Sequence, residues 1–209
     1  MPEPATAAPF AALVFDVGGV IVPHDNEALY RRLAARCLAP QAEATIRAAI
    51  RDPGYERGAL PIEHLHERLR REAGYAPGWD AFRADWCSHL GLDAAMLDYV
   101  ERLAARRRVL LFSNTNREHW DHLLRLSAGR LGGFEAYLSH ELGDAKPAPS
   151  AFRRVAAAAG IEPARALFVD DKPANVAAAR QAGFAAIVFI GLAEFERELA
   201  VREQSPQRE

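Results

Sequence analysis

The chain has 209 residues, half of them hydrophobic and 26% charged, a balance that suits a globular protein with one sizeable core plus an appendage and excludes disordered, collagenous and disulfide-stapled chains. The formal charge of −2 leaves no basic field of the kind that binds nucleic acid without sequence preference. Of the 26 basic residues only Lys146 and Lys172 are lysine and the rest are arginine, which makes the two lysines candidates for places where a planar guanidinium does not serve.

Residues 1–9 are rich in Ala and Pro, carry no basic leader pattern and read as a short frayed tail. No run approaches the ~20 apolar residues of a membrane span, and the two cysteines are isolated; together these features predict a cytoplasmic protein. A short apolar run over 12–15, stopping at Asp16, reads as a buried strand. From 26 to 90 the pattern turns helical throughout, with segments over 27–38, 42–50, 62–72 and 79–90 and no strand between them. Helical spacing over 94–106 leads to a second strand over 109–112 that stops at Ser113. A helix over 117–126 and a weak strand over 134–139 follow. The helix over 149–159 opens on proline and closes at Gly160, a further strand over 166–169 precedes Asp170, the helix over 175–182 closes at Gly183, and a last strand covers 185–190. This alternation predicts an α/β fold: a doubly wound, Rossmann-like parallel sheet over 10–25 and 91–205, with an all-helical cap over 26–90 inserted after the first strand. Both connections of the insert lie beside the carboxyl ends of the strands, where ligands of open α/β sheets sit, so the insert is placed to act as a lid.

Four polar clusters stand at or after strand ends: Asp16-Val17-Gly18-Gly19, Ser113-Asn114-Thr115-Asn116, Lys146-Pro147 and Asp170-Asp171. In a doubly wound sheet such ends converge on one crevice. Each cluster alone has an ordinary explanation: Asp16 as a turn or cap residue, Gly18-Gly19 as a tight turn, Ser113-Asn114 as a helix cap, Asp170-Asp171 as an acidic helix start, Lys146 as a surface charge. Together they supply a nucleophilic carboxylate, hydroxyl and amide donors, one lysine and paired carboxylates, which is an inventory for phosphoryl transfer.

In that order, Phe15-Asp16-Val17-Gly18-Gly19-Val20, Leu111-Phe112-Ser113-Asn114-Thr115-Asn116, Lys146-Pro147 and Phe168-Val169-Asp170-Asp171-Lys172-Pro173-Ala174-Asn175 resemble the four motifs of the haloacid dehalogenase superfamily of hydrolases, over about 11–190. With Glu56-Arg57-Gly58 of the insert, they are most similar to its branch of sugar-phosphate phosphatases typified by glucose-1-phosphate phosphatase. The resemblance implies a Mg²⁺-dependent phosphatase acting on a small phosphorylated metabolite, a sugar phosphate by preference, with no nucleic-acid or membrane partner. It implies that Asp16 attacks phosphorus and forms an aspartyl-phosphate. Mg²⁺ would be held by the Asp16 carboxylate, the Gly18 carbonyl and Asp171, with Asp170 beside them. Ser113 and Asn114 would donate to the phosphoryl oxygens, Lys146 would neutralise charge on Asp16 and on the phosphoryl group, and Asn175 would orient the acid pair.

One departure from the superfamily pattern stands out. Most of its phosphatases carry a second Asp two residues after the nucleophile, as acid to the leaving oxygen and then base to the water, and this chain has Gly18 there. The glucose-1-phosphate phosphatase-like branch has the same glycine, and a phosphorylated anomeric hydroxyl is acidic enough to need less help. His24 and Asp25 are the nearest candidates for the missing acid, while Asp25 or Asn26 reads equally as the cap of the first insert helix.

The remaining residues have plainer readings. His119 and His122, at i and i+3 on one helix, lack a third ligand for zinc. Trp79, Phe82, Trp86 and Leu90 recur at helical spacing and read as lid core. Cys37 and Cys87 read as buried thiols, and Lys172 as a solvated partner of the acidic pair. Two alternatives stand beside the phosphatase: a 2-haloacid dehalogenase, which shares the nucleophile, Ser-Asn and Lys but has small polar residues in place of the acid pair, and a catalytically weak family member that binds a partner through its lid, suggested by Gly18.

Overall fold

Five short strands, β1 (Ala12–Phe15), β2 (Arg108–Ser113), β3 (Glu135–Leu138), β4 (Ala166–Asp170) and β5 (Ala185–Val188), form one all-parallel sheet in the order β3-β2-β1-β4-β5. The helices in chain order are α1 (Asn26–Ala34), α2 (Ala42–Ile50), α3 (Pro53–Glu56), α4 (Ile62–Ala73), α5 (Trp79–Cys87), α6 (Ala94–Ala104), α7 (Arg117–Leu126), α8 (Ser139–Leu142), α9 (Pro149–Ala159), α10 (Pro173–Gln181) and α11 (Leu192–Gln204). This computed structural model describes residues 9–204. The tail expected over 1–9 therefore lies, apart from Pro9, outside the described residues, as does position 205 of the expected core.

Both faces of the sheet are covered, which is why its strands read as unbroken apolar runs. Leu13, Phe15, Leu111 and Val169 pack on one side against Met96, Leu97 and Val100 of α6, Leu123 of α7 and Phe195 and Leu199 of α11. Val14, Leu110, Phe112 and Phe168 pack on the other against Phe152 and Val155 of α9 and Val176 and Ala179 of α10. Helix α11 has no counterpart in the sequence reading; its apolar stripe is narrow, and only Phe195 and Leu199 along it are buried. The register sets Phe15 level with Leu111 on one side and Val169 on the other, so Asp16, Ser113 and Asp170 emerge at the same edge.

Helices α1 to α5 enclose a separate hydrophobic cluster around Leu33, Ile46, Leu65, Leu69, Phe82 and Trp86. Its polar pin is Asp85, 1% exposed, which takes Tyr75 Oη at 2.7 Å, Arg32 Nε at 2.7 Å and Arg36 Nε at 3.0 Å. Two helices of the insert stop earlier than periodicity predicts, each because backbone pairing elsewhere captures the chain. The first, expected to reach 38, ends at Ala34; Cys37 bridges Tyr75, and the Leu38 and Ala39 amides donate to Gly74 and Ala73. The segment expected to run to 90 ends at Cys87, since Leu90 pairs with His24 and Gly91 N–H donates to the Pro23 carbonyl at 2.8 Å. The two strands of chain that join the insert to the sheet are thus tied to each other. Both cysteines are free thiols, Cys87 buried and Cys37 half-buried. No helix among the described residues is long and apolar enough to cross a membrane.

Candidate active site

Three strand ends and one loop build the site. Past β1 the chain keeps the ladder for one residue, Asp16 N–H donating to the Val169 carbonyl at 2.8 Å, and then turns tightly so that the Ile21 and Val22 amides donate back to Val17 O. The turn needs glycine at position 19 for two reasons: φ is +78°, and a Cβ there would lie 2.3 Å from Asp171 Cγ. Ser113 closes β2, Asp170 closes β4, and Lys146 arrives from the loop between α8 and α9.

Lys146 is the hub. Its side chain is 1% exposed, and Nζ lies 2.8 Å from Asp16 Oδ1, 2.8 Å from Asp170 Oδ2 and 3.0 Å from the Phe112 carbonyl oxygen. Three acceptors around one nitrogen match the three donors of an ammonium, and a planar guanidinium cannot present that geometry. The faces of Phe112 and Phe168 flank the cation with ring centroids 5.1 and 5.4 Å away. Burial pushes the Asp16 carboxyl up, to about 7, with Lys146 opposing and Asp170 adding to the rise. Burial also acts on Asp170, yet the charge and hydrogen bond of Lys146, with the Lys172 backbone N–H, hold it below the usual carboxylate range.

The two adjacent aspartates do different work. Asp170 is fully buried and its oxygens are engaged: Lys172 N–H donates at 2.8 Å, Asn175 Nδ2 reaches both oxygens at 3.0 and 2.9 Å, and Lys146 takes Oδ2. Asp171 Oδ1, by contrast, is buried and accepts no hydrogen bond among the described residues. Oxygens of Asp16, Asp170 and Asp171 can all lie within 4.8 Å of one another. A hard divalent cation fits that donor set: oxygen only, anionic, with one oxygen left unsatisfied. Two sequence expectations need correction here. Asn175 orients Asp170 alone and not the pair, because the turn after β4 sends Asp171 towards Gly19. Lys172 contributes its backbone N–H, and its side chain forms no ion pair with either aspartate.

On the β2 side, Ser113 is buried and lines the cavity. The Asn114 side chain is occupied: Oδ1 accepts from Lys146 N–H at 2.9 Å, and Nδ2 donates to Lys146 O at 2.8 Å and to Glu56 Oε2 at 3.3 Å. What Asn114 has left for a bound anion is its backbone N–H. Thr115 N–H donates to Ser139 Oγ, which in turn lies 2.6 Å from the Glu56 carbonyl, and Asn116 caps α7. Glu56 thus seats the insert directly on the site. Gly58 permits the approach, since with φ of +70° a Cβ there would come within 2.2 Å of the His140 carbonyl oxygen.

Asp16, Ser113, Asn114 and Lys146 line a cavity of about 550 Å³ whose roof comes from α1, α2 and α3. Asp25 caps α1, its carboxylate accepting from Ala28 N–H at 2.9 Å, and lies exposed. His24 lines the cavity, and its ring lies 3.7 Å from where a Cβ of residue 18 would stand. His119 stacks on Trp86 at 4.7 Å between centroids, and both its ring nitrogens are engaged, with the Trp86 carbonyl and with the Asn116 amide. Burial pushes the imidazoles of His119 down to about 3 and of His89 down to about 4. Neither was singled out as a cavity residue from the sequence, because their neighbours are brought by the insert. Phe82 and Trp86 belong to the insert core, although Trp86 also reaches the cavity wall.

A model of the haloacid dehalogenase-like hydrolase family matches residues 10–183. A D-ribitol-5-phosphate phosphatase of Bacteroides thetaiotaomicron is 28% identical over 199 residues, covering 90% of this chain and 96% of that protein. Among solved structures, a haloacid dehalogenase-family enzyme of the same organism, crystallised with magnesium and inorganic phosphate, superimposes with a TM-score of 0.75 at 26% identity, over 85% of this chain and 93% of that one. A predicted haloacid dehalogenase-like hydrolase of Porphyromonas gingivalis gives a TM-score of 0.80 at 28% identity, over 92% and 98%.

Proposed function

The chain belongs to the haloacid dehalogenase-like hydrolases, and from that premise we propose that it is a Mg²⁺-dependent phosphatase of small phosphorylated sugars or polyols that works through an aspartyl-phosphate. The observation that carries this reading is the unpartnered Asp171 Oδ1 beside Asp16, in a cluster of three aspartates that has the single positive charge of Lys146 among them. A 2-haloacid is an anion, and an unbalanced Asp171 carboxylate would repel it unless a cation stood there, which makes the dehalogenase the poorer fit. The phosphatase relative and the magnesium and phosphate of the structural neighbour support the same choice.

Asp16, Asp171 and the Gly18 carbonyl would hold Mg²⁺, with Asp170 behind them as the anchor of Lys146. When bound, the ion supplies positive charge to the phosphoryl oxygens and to the attacking carboxylate. The chain's own groups do the rest. Lys146 holds the Asp16 carboxylate in place, Ser113 Oγ and the Asn114 backbone N–H offer donors to the phosphoryl group, and the insert roofs the cavity. Asp16 attacks phosphorus, the alcohol departs, and water then releases phosphate from the carboxylate. The cavity volume, about 550 Å³, accommodates a five- or six-carbon phosphoester.

Turnover of p-nitrophenyl phosphate with Mg²⁺, with EDTA and by Asp16→Asn tests this. Metal-dependent release abolished by the substitution is expected, followed by a preference among pentitol and hexose phosphates. Activity that survives EDTA, or chloride release from 2-chloropropionate, overturns it.

A further inference from the structure

Expelling an alkoxide from a phosphate monoester needs a proton on the leaving oxygen, and releasing phosphate from Asp16 needs a base for the incoming water. Neither Lys146 nor Asp170 is free for this, being bound to each other. The other carboxylates beside the cavity are committed as well: Asp25 caps α1, Asp52 caps α3 by accepting from Gly54 N–H at 2.9 Å, and Glu56 holds the Asn114 amide. His119 spends both ring nitrogens on Trp86 and Asn116, and His89 Nδ1 is buried out of reach of solvent. Lys172 and Tyr30 bring an ammonium and a phenol rather than an imidazole, the side chain that most often carries protons in catalysis.

His24 is the imidazole that is left. It lines the same cavity as Asp16 and Ser113 and is half-buried there. Its backbone is fixed from both sides: it pairs with Leu90, with Pro23 O accepting from Gly91 N–H at 2.8 Å and Asp25 N–H donating to His89 O at 3.2 Å. That clamp sends the ring over the space that the absent side chain of Gly18 leaves, two residues past the nucleophile; the ring atoms nearest a Cβ there, Cε1 and Nδ1, would be 3.7 and 3.8 Å away. We propose that His24 is a catalytic residue that gives a proton to the leaving oxygen and then takes one from the water. In the first step the Asp16 oxygen bonds to phosphorus, the bond from phosphorus to the alcohol oxygen breaks, and the His24 N–H proton goes to that oxygen. In the second, water attacks phosphorus, the bond to Asp16 breaks and restores its carboxylate, and His24 recovers the proton. The sum is phosphomonoester plus water giving alcohol plus phosphate. With this residue in place the enzyme handles unactivated alkyl phosphates, such as those of a polyol, and does not depend on an acidic leaving group.

The inference rests on the phosphatase reading, and leaving-group dependence separates the two. Wild type, His24→Gln and His24→Asn are compared on p-nitrophenyl phosphate, phenyl phosphate and a pentitol phosphate. Both variants should lose about 100-fold in kcat/KM on the pentitol phosphate and only a few-fold on p-nitrophenyl phosphate, whose phenolate leaves unaided. They should also show a pre-steady-state burst of p-nitrophenol as the phosphoenzyme accumulates. Retained p-nitrophenyl phosphate cleavage reports a folded site in the variants. An equal loss on all three substrates, or no loss, overturns the role of His24 and leaves the phosphatase standing; a wild type without Mg²⁺-dependent turnover overturns both.

Discussion

The carboxamide of Asn114 grips the backbone of Lys146 from both sides, accepting from its N–H at 2.9 Å and donating to its carbonyl at 2.8 Å. A residue at the end of β2 thereby sets where the lysine of a distant loop enters the site, and its remaining amide proton points to Glu56 of the insert at 3.3 Å. Asn114→Ala should therefore lower kcat about 10- to 100-fold with a smaller change in KM, and amide exchange at Lys146 should quicken. Unchanged exchange at that amide would make the clamp irrelevant.

Lys146→Arg should lose at least about 100-fold in kcat/KM while the protein stays folded, because a planar fork cannot satisfy Asp16, Asp170 and Phe112 O at once. Steady-state kinetics alongside a thermal melt check this; near-normal turnover would mean that any cation suffices.

Gly19→Ala introduces a methyl group 2.3 Å from Asp171 Cγ at a φ of +78°. Asp171 must move, so the Mg²⁺ concentration for half-maximal activity should rise at least about 10-fold, with a stability cost of about 1 kcal/mol. Gly133→Ala is the control, with nothing within 4 Å of the added carbon. Equal Mg²⁺ dependence in the two variants would sink the argument.

Asp85→Ala removes the buried acceptor shared by Tyr75, Arg32 and Arg36. The arginines remain solvated and can relax, so the expected cost is about 2–3 kcal/mol, below that of a fully buried pair, measured by urea denaturation. Asp85→Asn, which keeps an acceptor oxygen, should recover part of it.

His119 provides a pH signature. Its folded pKa, about 3, lies below the ordinary imidazole value of 6.5, so between those limits the unfolded chain binds the extra proton. The stabilisation is complete above about 6.5 and is lost as pH falls towards 3. Wild type should lose stability on acidification below pH ~6.5 more steeply than His119→Gln, by at most about 1.4 kcal/mol per pH unit. Parallel pH curves for the two proteins would refute a neutral, stacked His119.

Strand ends are local events, and for that reason much of the catalytic kit is legible along the chain. An apolar run that stops at Asp16, Ser113 or Asp170 announces both a strand buried on two faces and the residue that leaves its carboxyl edge, and parallel pairing then gathers those residues without further information. The Pro149-to-Gly160 helix is legible on the same footing, since caps are written in adjacent residues. What adjacency cannot carry is decided by the tertiary structure. Long-range backbone pairing ends α1 and α5 before their periodicity does. The division of labour between Asp170, saturated by Lys146 and Asn175, and Asp171, left with a free oxygen, depends on contacts between separate strands and loops. The Asn114 side chain becomes a clamp and leaves the backbone N–H to face an anion, and His24 rather than Asp25 faces the cavity, because hydrogen-bond partners far apart in sequence arrive only when the insert packs on the sheet.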